Sequence, residues 1–417
     1  MSGIFSSVGM VKETATQFSV TAGAGTAGVP NIATLTKTTH GLRVGDVITM
    51  TASTVAGYNG VWTITAVPDA NTFVIQTGTV LLGAATATFP VVNSTAYGIA
   101  GVPSKFYEVI SESVESKMER VEAKALRQNA RTAAANRFAV YEGGAEGDIE
   151  LEVMSKGTLG YFLDAMMGAV VTAGPTDSAY THTATIGSTR GKSFTYQKLV
   201  SQGGTNSVAT ATSGQHFTYK GMKVKSWSLS CDSGGLLILK LSFMGQKADA
   251  TVVYATPSYP AAAELFSFAG GAVTVGGTAV AVVNKISLDC DMKLAERRPI
   301  SSTGTQIEPL ESAPREFKLG MDVGFIDMIL YNRYVSATAS GTLAAVVATF
   351  TAPTLIGASA FPTVTVTVPN FRVDGETPKI SGPDIITMSV SGPCLDTTPG
   401  ANDAVTLAYK TLDSVVT

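Results

Sequence analysis

The sequence has few charged residues for its length. Asp, Glu, Lys and Arg make up 15% of the 417 residues, and 29 basic against 32 acidic side chains leave a net charge of -3. A chain with this balance has no positive field that would hold nucleic acid against the outside of a monomer. Surfaces poor in charge instead suit burial against other copies of the chain, because the cores of protein interfaces are depleted of charged residues.

Cysteines and long apolar runs are also scarce. The three cysteines, Cys231, Cys290 and Cys394, are odd in number and widely spaced, so we expect buried thiols and not a disulfide framework. No apolar stretch reaches the roughly 20 residues of a membrane-spanning helix. The first residues lack the basic and apolar regions of a secretory signal. We therefore expect a soluble protein, without a membrane span, that is made in the cytoplasm.

Residues for catalysis and metal binding are equally rare. The three histidines have no His, Cys or carboxylate partner at the spacing of metal ligands: His40, His182 and His216. Asp289 and Asp291 lie on the strand face opposite Cys290, but no basic partner that would activate the thiol is in view. We predict no enzyme activity, no catalytic residues, no cofactor and no metal.

Glycine and small β-forming residues are abundant. There are 42 glycines, and Thr, Ala, Val and Ser are frequent, a mixture typical of strands joined by tight turns. Residues 217–230 and 236–243 alternate apolar and polar side chains around a turn at residues 232–235, which predicts a hairpin. We predict a mainly β protein, with one helix over residues 324–335 and another described below.

Residues 18–93 are predicted to form a small all-β module. Segments at residues 61–67 and 72–75 have the β-branched and aromatic composition of strands, with turn-forming residues between them. The motifs at residues 39–48, 57–60 and 69–73 are similar to a small β module that recurs in phage virion proteins.

Residues 147–168 carry two structural periods in succession. Ile149, Leu151 and Val153 alternate with acidic residues, which predicts a half-solvated strand. The helix that follows, at about residues 157–168, is predicted to begin at a Thr158 cap and to end at Gly168. Four apolar residues at helical spacing are predicted to dock this helix on the rest of the fold: Leu159, Phe162, Leu163 and Met166.

Residues 112–137 hold a large share of the charge. The segment fits either a helix with opposite charges at helical spacing or an extended arm that orders against a neighbouring subunit. Its narrow apolar stripe favours the arm. Interleaved glutamates favour ion pairing between proteins over nucleic-acid binding, and the predicted subunit-interface residues are Glu112, Glu115, Glu119, Arg120, Glu122, Arg127, Arg131 and Arg137.

From residue 97 onward the order of motifs resembles the tail tube proteins (major tail proteins) of long-tailed bacteriophages. The resemblance is carried by Tyr97-Gly98-Ile99-Ala100-Gly101-Val102-Pro103, Glu112-Ser113, the charged segment through Arg127, residues 147–168, Tyr219-Lys220-Gly221-Met222-Lys223-Val224 and the late Val-rich strands. In that family an opening like Val11-Lys12-Glu13-Thr14 runs straight into a Tyr-Gly element. Residues 18–93 therefore resemble an insertion between an N-terminal segment, 1–17, and a tube domain, 94–417.

The resemblance implies a tail-tube-type β-sandwich or barrel with a flanking helix and a long loop. It further implies a structural virion protein of the phage tail, assembled in the host cytoplasm into stacked hexameric rings that form the conduit for DNA ejection. The charged segment would contact a neighbouring subunit or ring, and the inserted module would lie on the tube exterior. The implied partners are further copies, the tape measure protein, the tail terminator and baseplate or initiator proteins, with genomic DNA passing through the lumen without specific binding.

A different class of function stays open at this stage. Two β domains could present loops to a carbohydrate or protein ligand, as a multi-domain β adhesin or binding protein that recognises a cell-surface ligand does. Aromatic residues clustered in loops would favour that alternative, but both tryptophans, Trp62 and Trp227, lie in predicted strands.

Overall fold

A computed structural model of the chain describes residues 6–13, 17–20, 22–26, 31–38, 42, 47–50, 53, 55–78, 83, 89–93, 97–125, 132, 137–201, 214–260, 263–280, 282–300, 305–326, 328–375, 377–378 and 386–414. The chain forms two compact units. The larger unit contains Met1–Lys12, Ala100–Thr189 and Ser193–Thr417, and the smaller unit contains Glu13–Ile99 and Arg190–Lys192.

The strands in chain order are β1 (Ser7–Lys12), β2 (Gln17–Val20), β3 (Ala22–Thr26), β4 (Asn31–Thr36), β5 (Val47–Met50), β6 (Gly60–Asp69), β7 (Thr72–Gly78), β8 (Phe89–Asn93), β9 (Lys105–Tyr107), β10 (Val109–Glu112), β11 (Glu115–Glu122), β12 (Phe138–Glu152), β13 (Gly168–Thr176), β14 (Ala179–Ile186) and β15 (Phe194–Ser201). They continue as β16 (Gly214–Asp232), β17 (Ile238–Gly245), β18 (Lys247–Ala248), β19 (Gly271–Val275), β20 (Thr278–Ala279), β21 (Val283–Asp291), β22 (Leu294–Arg297), β23 (Ile307–Glu311), β24 (Glu316–Gly324), β25 (Leu343–Thr351), β26 (Thr363–Arg372), β27 (Asp374–Gly375), β28 (Thr387–Leu395) and β29 (Thr406–Thr411). The helices are α1 (Leu159–Met167), α2 (Ile329–Tyr334) and α3 (Ala339–Thr342). This mainly β architecture confirms the predicted fold class.

The smaller unit is a seven-stranded antiparallel sheet in the order β2-β8-β5-β6-β7-β4-β3. Its described side chains build a core of their own. Ile48, Ile64 and Phe73 belong to this core and are fully or almost fully buried. Trp62 packs at its margin and donates its indole N–H to the Tyr58 carbonyl at 2.8 Å.

The larger unit is built on two antiparallel sheets. Sheet I has the order β11-β12-β17-β16-β21-β24-β28-β27. Strand β10 pairs with the same side of β12 as β11 does, beyond the end of β11. Sheet II has the order β13-β14-β29-β26-β25-β19-β20. The two sheets meet where β28 also pairs with β26, and all these strands form one continuous, barrel-like network.

Alternation of side chains explains the core between the sheets. In β24, Phe317, Leu319 and Met321 point to the core and are buried, while the residues between them are polar or glycine. In β26, Val364 and Val366 do the same between threonines. Such a period of two places one face of each strand inward and leaves the other for water or for a partner.

Strand β16 is 19 residues long and belongs to two groups of strands. Its first half pairs with β15, which joins β1 and β9, and its second half pairs with β17 and β21 of sheet I. Lys223 lies where the strand passes from one group to the other and is 2% exposed. Its ammonium group donates to Glu308 Oε1 of β23 at 2.8 Å and to the Pro309 carbonyl at 3.3 Å.

The hairpin predicted around residues 232–235 is confirmed, because Ser230 of β16 pairs with Ile238 of β17. The helix predicted over residues 324–335 is wrong in length: Gly324 ends β24, and α2 covers only Ile329–Tyr334. The physical reason lies in the backbone. Gly324 and Phe325 donate their N–H groups to the carbonyls of Val282 and Ile386 at 2.9 Å, so these residues continue the sheet pairing and cannot begin a helix.

Candidate subunit interface

Helix α1 begins and ends close to the predicted positions. Thr158 precedes it, but its side chain makes no capping hydrogen bond and donates weakly to the Lys156 carbonyl at 3.4 Å, so the predicted cap is wrong. Gly168 ends the helix with a φ of 105°. A Cβ atom there would meet the Gly187 backbone at 2.0 Å, so glycine is required both by the backbone conformation and by the close approach of the next segment.

The side chains predicted to dock α1 are Leu159, Phe162, Leu163 and Met166, and each is 0% exposed. The Phe162 ring lies 5.1 Å from the Tyr107 ring and 5.5 Å from the Phe194 ring, between centroids. Trp227 donates its indole N–H to the Met166 carbonyl at 3.3 Å. The helix is thereby held by apolar packing and by a hydrogen bond to a strand of sheet I.

The charged segment contains a strand and not a helix in its described part. β11 pairs with the outer half of β12 from Glu115 opposite Glu146 to Glu122 opposite Phe138. We call this antiparallel pair, residues 115–122 and 138–146, the arm. Glu115, Glu119, Arg120 and Glu122 lie on it, and just beyond it the backbone carbonyl of the exposed Arg137 accepts a hydrogen bond from Ala123 N–H. Arg127 and Arg131 lie outside the described residues.

Glu112 stands apart from the other predicted interface residues. Its carboxylate accepts hydrogen bonds from Lys198 at 3.0 Å and from the Tyr196 hydroxyl at 3.1 Å, both within the same unit. Burial, followed by the neighbouring Glu112 charge, raises the pKa of Tyr196 well above its usual value. Glu112 therefore fixes the root of the arm, and Glu115, Glu119 and Glu122 lie further out.

One face of the arm carries three large apolar side chains that are exposed to solvent, beside the charged Arg120, Glu122 and Glu142. Cross-strand neighbours share a face, so Met118, Val140 and Phe138 point the same way. They are 51%, 49% and 49% exposed. We call these three side chains the apolar face of the arm. Large apolar groups that are half exposed on an edge hairpin are typical of a surface that another protein covers.

The other face of the arm is attached to the body of the unit near its base, while Val121, further out on that face, is 57% exposed. Arg298 lies over the Tyr141 ring at 5.6 Å and donates hydrogen bonds to the carbonyls of Glu142, at 3.0 Å, and Gly143. On the face of Met118, its cross-strand partner, the Glu142 carboxylate accepts a hydrogen bond from Ala248 N–H at 2.8 Å. The body therefore holds the base of the arm on both faces, and Val140 and Phe138 lie further out along the arm.

Comparison with known families decides what kind of protein presents this arm. Residues 6–394 match the family model described as phage tail tube protein. The chain belongs to the phage tail tube protein family. Among curated proteins, no sequence matches it.

Membership makes this tail tube protein a structural component of the phage virion tail that self-associates in a tube. The family is one of structural proteins and not of enzymes. Within the described part of the chain, none of the helices combines the length and the apolar character needed to span a membrane.

The side chains considered for chemistry occupy structural positions in this tail tube protein. His182 is fully buried, with Nδ1 2.8 Å from the Thr172 hydroxyl and Nε2 2.8 Å from the Asp413 carbonyl. Burial raises the pKa of the Cys290 thiol and raises that of Cys394 to about 12, so neither is a thiolate at neutral pH. His40 lies outside the described residues. Among the residues that are described, no His, Cys, Asp and Glu cluster fits a metal ion.

The base of the arm in this tail tube protein carries an acid-sensitive ion pair. Lys220 Nζ lies 2.8 Å from Asp249 Oδ2, and Thr251 donates its N–H and hydroxyl to Oδ1 at 3.0 and 2.6 Å. Burial opposes ionisation of Asp249, but the hydrogen bonds from Lys220 and Thr251 lower its pKa from 3.8 to about 2. Because the folded pKa is depressed, the contribution to stability is present above pH 3.8 and is lost as pH falls toward 2.

We expect Asp249→Asn to lower the free energy of unfolding by about 2 kcal/mol at neutral pH, since one pKa unit corresponds to about 1.4 kcal/mol. The difference from the wild-type protein should shrink as the carboxyl is protonated. Urea unfolding of both proteins at a series of acid pH values measures this difference in the free energy of unfolding. A difference that stays constant down to about pH 2 would contradict the assigned ion pair.

Proposed function

We propose that this chain is the subunit of a tail tube made of stacked hexameric rings, the conduit through which DNA leaves the virion. The observation that carries the proposal is the arm: an edge hairpin with a half-exposed apolar face, set on a rigidly packed body. Within the described residues, β11 pairs on one side only, with β12. Its free edge and its apolar side chains are a surface suited to another subunit.

The charges of the arm support contact with protein. Glu115, Glu119 and Glu122 are interleaved with Lys117 and Arg120 on β11. This mixture of signs suits ion pairs with a second subunit better than a phosphate backbone, which would be repelled by the carboxylates. Ordering of the segment against a neighbour would accompany assembly.

The assembled tube would have protein partners and would carry DNA. The tube would meet the tape measure protein, the tail terminator and baseplate or initiator proteins, and would assemble in the host cytoplasm. DNA would pass through the lumen without specific binding, for which the net charge of -3 is favourable because it offers phosphates no attractive field.

We further propose that residues 18–93 form a module inserted into the tube domain and displayed on the outside of the tube. Residues 1–17 and 94–417 would then make up the tube domain itself. The smaller unit supports this division, because its described residues form a sheet and a core of their own.

The experiment is to examine the purified protein at high concentration by negative-stain microscopy and sedimentation velocity. We expect six-fold rings or tubes about one ring wide. Isolated globules at every concentration would contradict the proposed function and would favour a ligand-binding protein instead. Deletion of residues 18–93 with a short linker provides a second measurement: if the module is an outer decoration, the deleted chain still forms rings of narrower outline.

A further inference from the structure

A second apolar surface lies far from the arm. It is a groove of about 190 Å³ at the opposite end of sheet I, and we call it the α2 groove. It is formed by the end of β24, by β28, by α2 and by the β19–β20 turn, and none of the described residues that line it is ionisable. The apolar side chains that line it include Val280, Val323, Phe325, Ile329, Leu330 and Met388.

The rim of the α2 groove is exposed to an unusual degree for apolar residues. Ile326 is 67% exposed and Ile329 53% exposed, and Met328 between them is also exposed. Covering large apolar side chains of this kind is favourable, because it removes apolar surface from water. Together with the open groove, the rim makes a contiguous apolar surface that is costly in water and typical of a protein-binding site.

We propose that the apolar face of the arm of one copy docks in the α2 groove of a second copy. This inference rests on the proposed function and deepens it by naming the acceptor site. Phe138 is the side chain that suits the groove, since it is an aromatic group, half exposed, near the outer end of the arm. Arg120 and Glu122 on the same face would remain at the rim, where their charges keep contact with water.

The arrangement of the sheet requires that the arm and the groove come from different copies. The arm lies on the β11 edge of sheet I, and the groove lies at β24 and β28, with β12, β17, β16 and β21 in between. Five strand spacings separate β11 from β24, roughly 24 Å. The arm is also a continuation of β12 along its own axis, so it cannot turn back across the sheet without losing the pairing that forms it.

Donor and acceptor are different surfaces, so each copy gives one arm and receives another. A contact of this kind is heterologous, and it generates a closed ring when the rotation closes and an open filament when it does not. Both outcomes are repeating assemblies of one chain. In such an assembly, the apolar face of the arm and the α2 groove, at opposite edges of one sheet, would each be covered by the other surface of a neighbouring copy.

The test uses two charge variants that leave the core untouched, Phe138→Asp in the arm and Ile329→Asp in the groove. Each alone should weaken association by at least about 30-fold, as removal of an interface hot spot does. Sedimentation velocity should then show monomers, with circular dichroism like that of the wild type. Mixed in equal amounts, the two variants retain one intact arm and one intact groove between them, so we expect a one-to-one dimer and no longer species.

The control is Val171→Asp, which places the same charge on an exposed apolar position of β13 in sheet II. We expect it to assemble like the wild-type protein. An equal loss of assembly in this variant would overturn the assignment, because it would show that any added surface carboxylate is sufficient. A mixture of the two test variants that stays monomeric would also overturn it.

Crosslinking gives a second readout. The double variant Phe138→Cys with Ile329→Cys should form an intermolecular disulfide ladder on mild oxidation, against little background because Cys231, Cys290 and Cys394 are buried. The pair Phe138→Cys with Val171→Cys should not. If the wild-type protein forms neither rings nor tubes, the proposed function fails. If it forms them and the arm-to-groove disulfide is absent, this inference alone fails.

Discussion

Phe162→Asp is expected to abolish soluble folding of this tail tube protein. Phe162 is fully buried among Tyr107, Tyr161 and Phe194, with ring centroids 5.1 to 6.0 Å away. Truncating such a side chain costs about 3–5 kcal/mol, and an unpaired carboxylate in an apolar core adds a further desolvation cost. The sum approaches the whole free energy of unfolding of a typical domain, about 5–15 kcal/mol.

The measurement is the soluble fraction after expression, followed by ring formation of whatever remains soluble. Phe162→Leu is the matched control at the same site and should cost about 1–3 kcal/mol while still assembling. Val171→Asp is the matched control for the new charge. A soluble Phe162→Asp protein that forms normal rings would mean that α1 does not dock on the sheets through this side chain.

Glu308→Leu is expected to destabilise the larger unit by about 3–5 kcal/mol, the usual effect of leaving one partner of a buried ion pair behind. The partner is Lys223, which is almost completely buried in the middle of β16. Burial lowers the pKa of Lys223, and the charge of Glu308 opposes that shift. Without Glu308 the ammonium must either lose its proton or remain buried without its carboxylate.

The double variant Lys223→Met with Glu308→Leu separates the ion pair from the packing at this site. We expect its free energy of unfolding to return to within about 1.5 kcal/mol of the wild-type value, because replacing a buried ion pair by apolar side chains of similar volume is often neutral. Urea unfolding of the two single variants and the double variant measures the coupling. A double variant as unstable as Glu308→Leu alone would show that the loss comes from packing and not from the unpaired charge.

Elements with a strong local period could be predicted from the sequence. Two such elements are the strand at Ile149 and Leu151 and the helix after it. They can be recognised without knowing any distant partner, because alternation and helical spacing depend only on residues close in sequence. The start of α2 could not be predicted. Gly324 and Phe325 continue the sheet through hydrogen bonds to Val282 and to Ile386, contacts that no local pattern reveals.

The same limit applies to the candidate interface. Charge density marked the segment around Arg120 and Glu122, and its extended form followed from the poor apolar stripe. The apolar face, however, needs Phe138 and Val140 from β12 beside Met118 from β11, and their juxtaposition depends on the register of the hairpin. The engagement of Glu112 by Lys198 is equally a product of distant pairing.

The continuity of β12 determines how the arm would respond to force. Its outer half forms the arm, and its inner half pairs with β17 over eight successive residues, from Ala145 opposite Gly245 to Glu152 opposite Ile238. A pull on the arm along its length therefore acts parallel to β12 and loads these hydrogen bonds in shear, all at once. Bonds loaded in this way resist together, whereas bonds opened from one end break one after another. An arm built as the extension of an internal strand would thus be a mechanically strong tether if it joins two copies, as proposed.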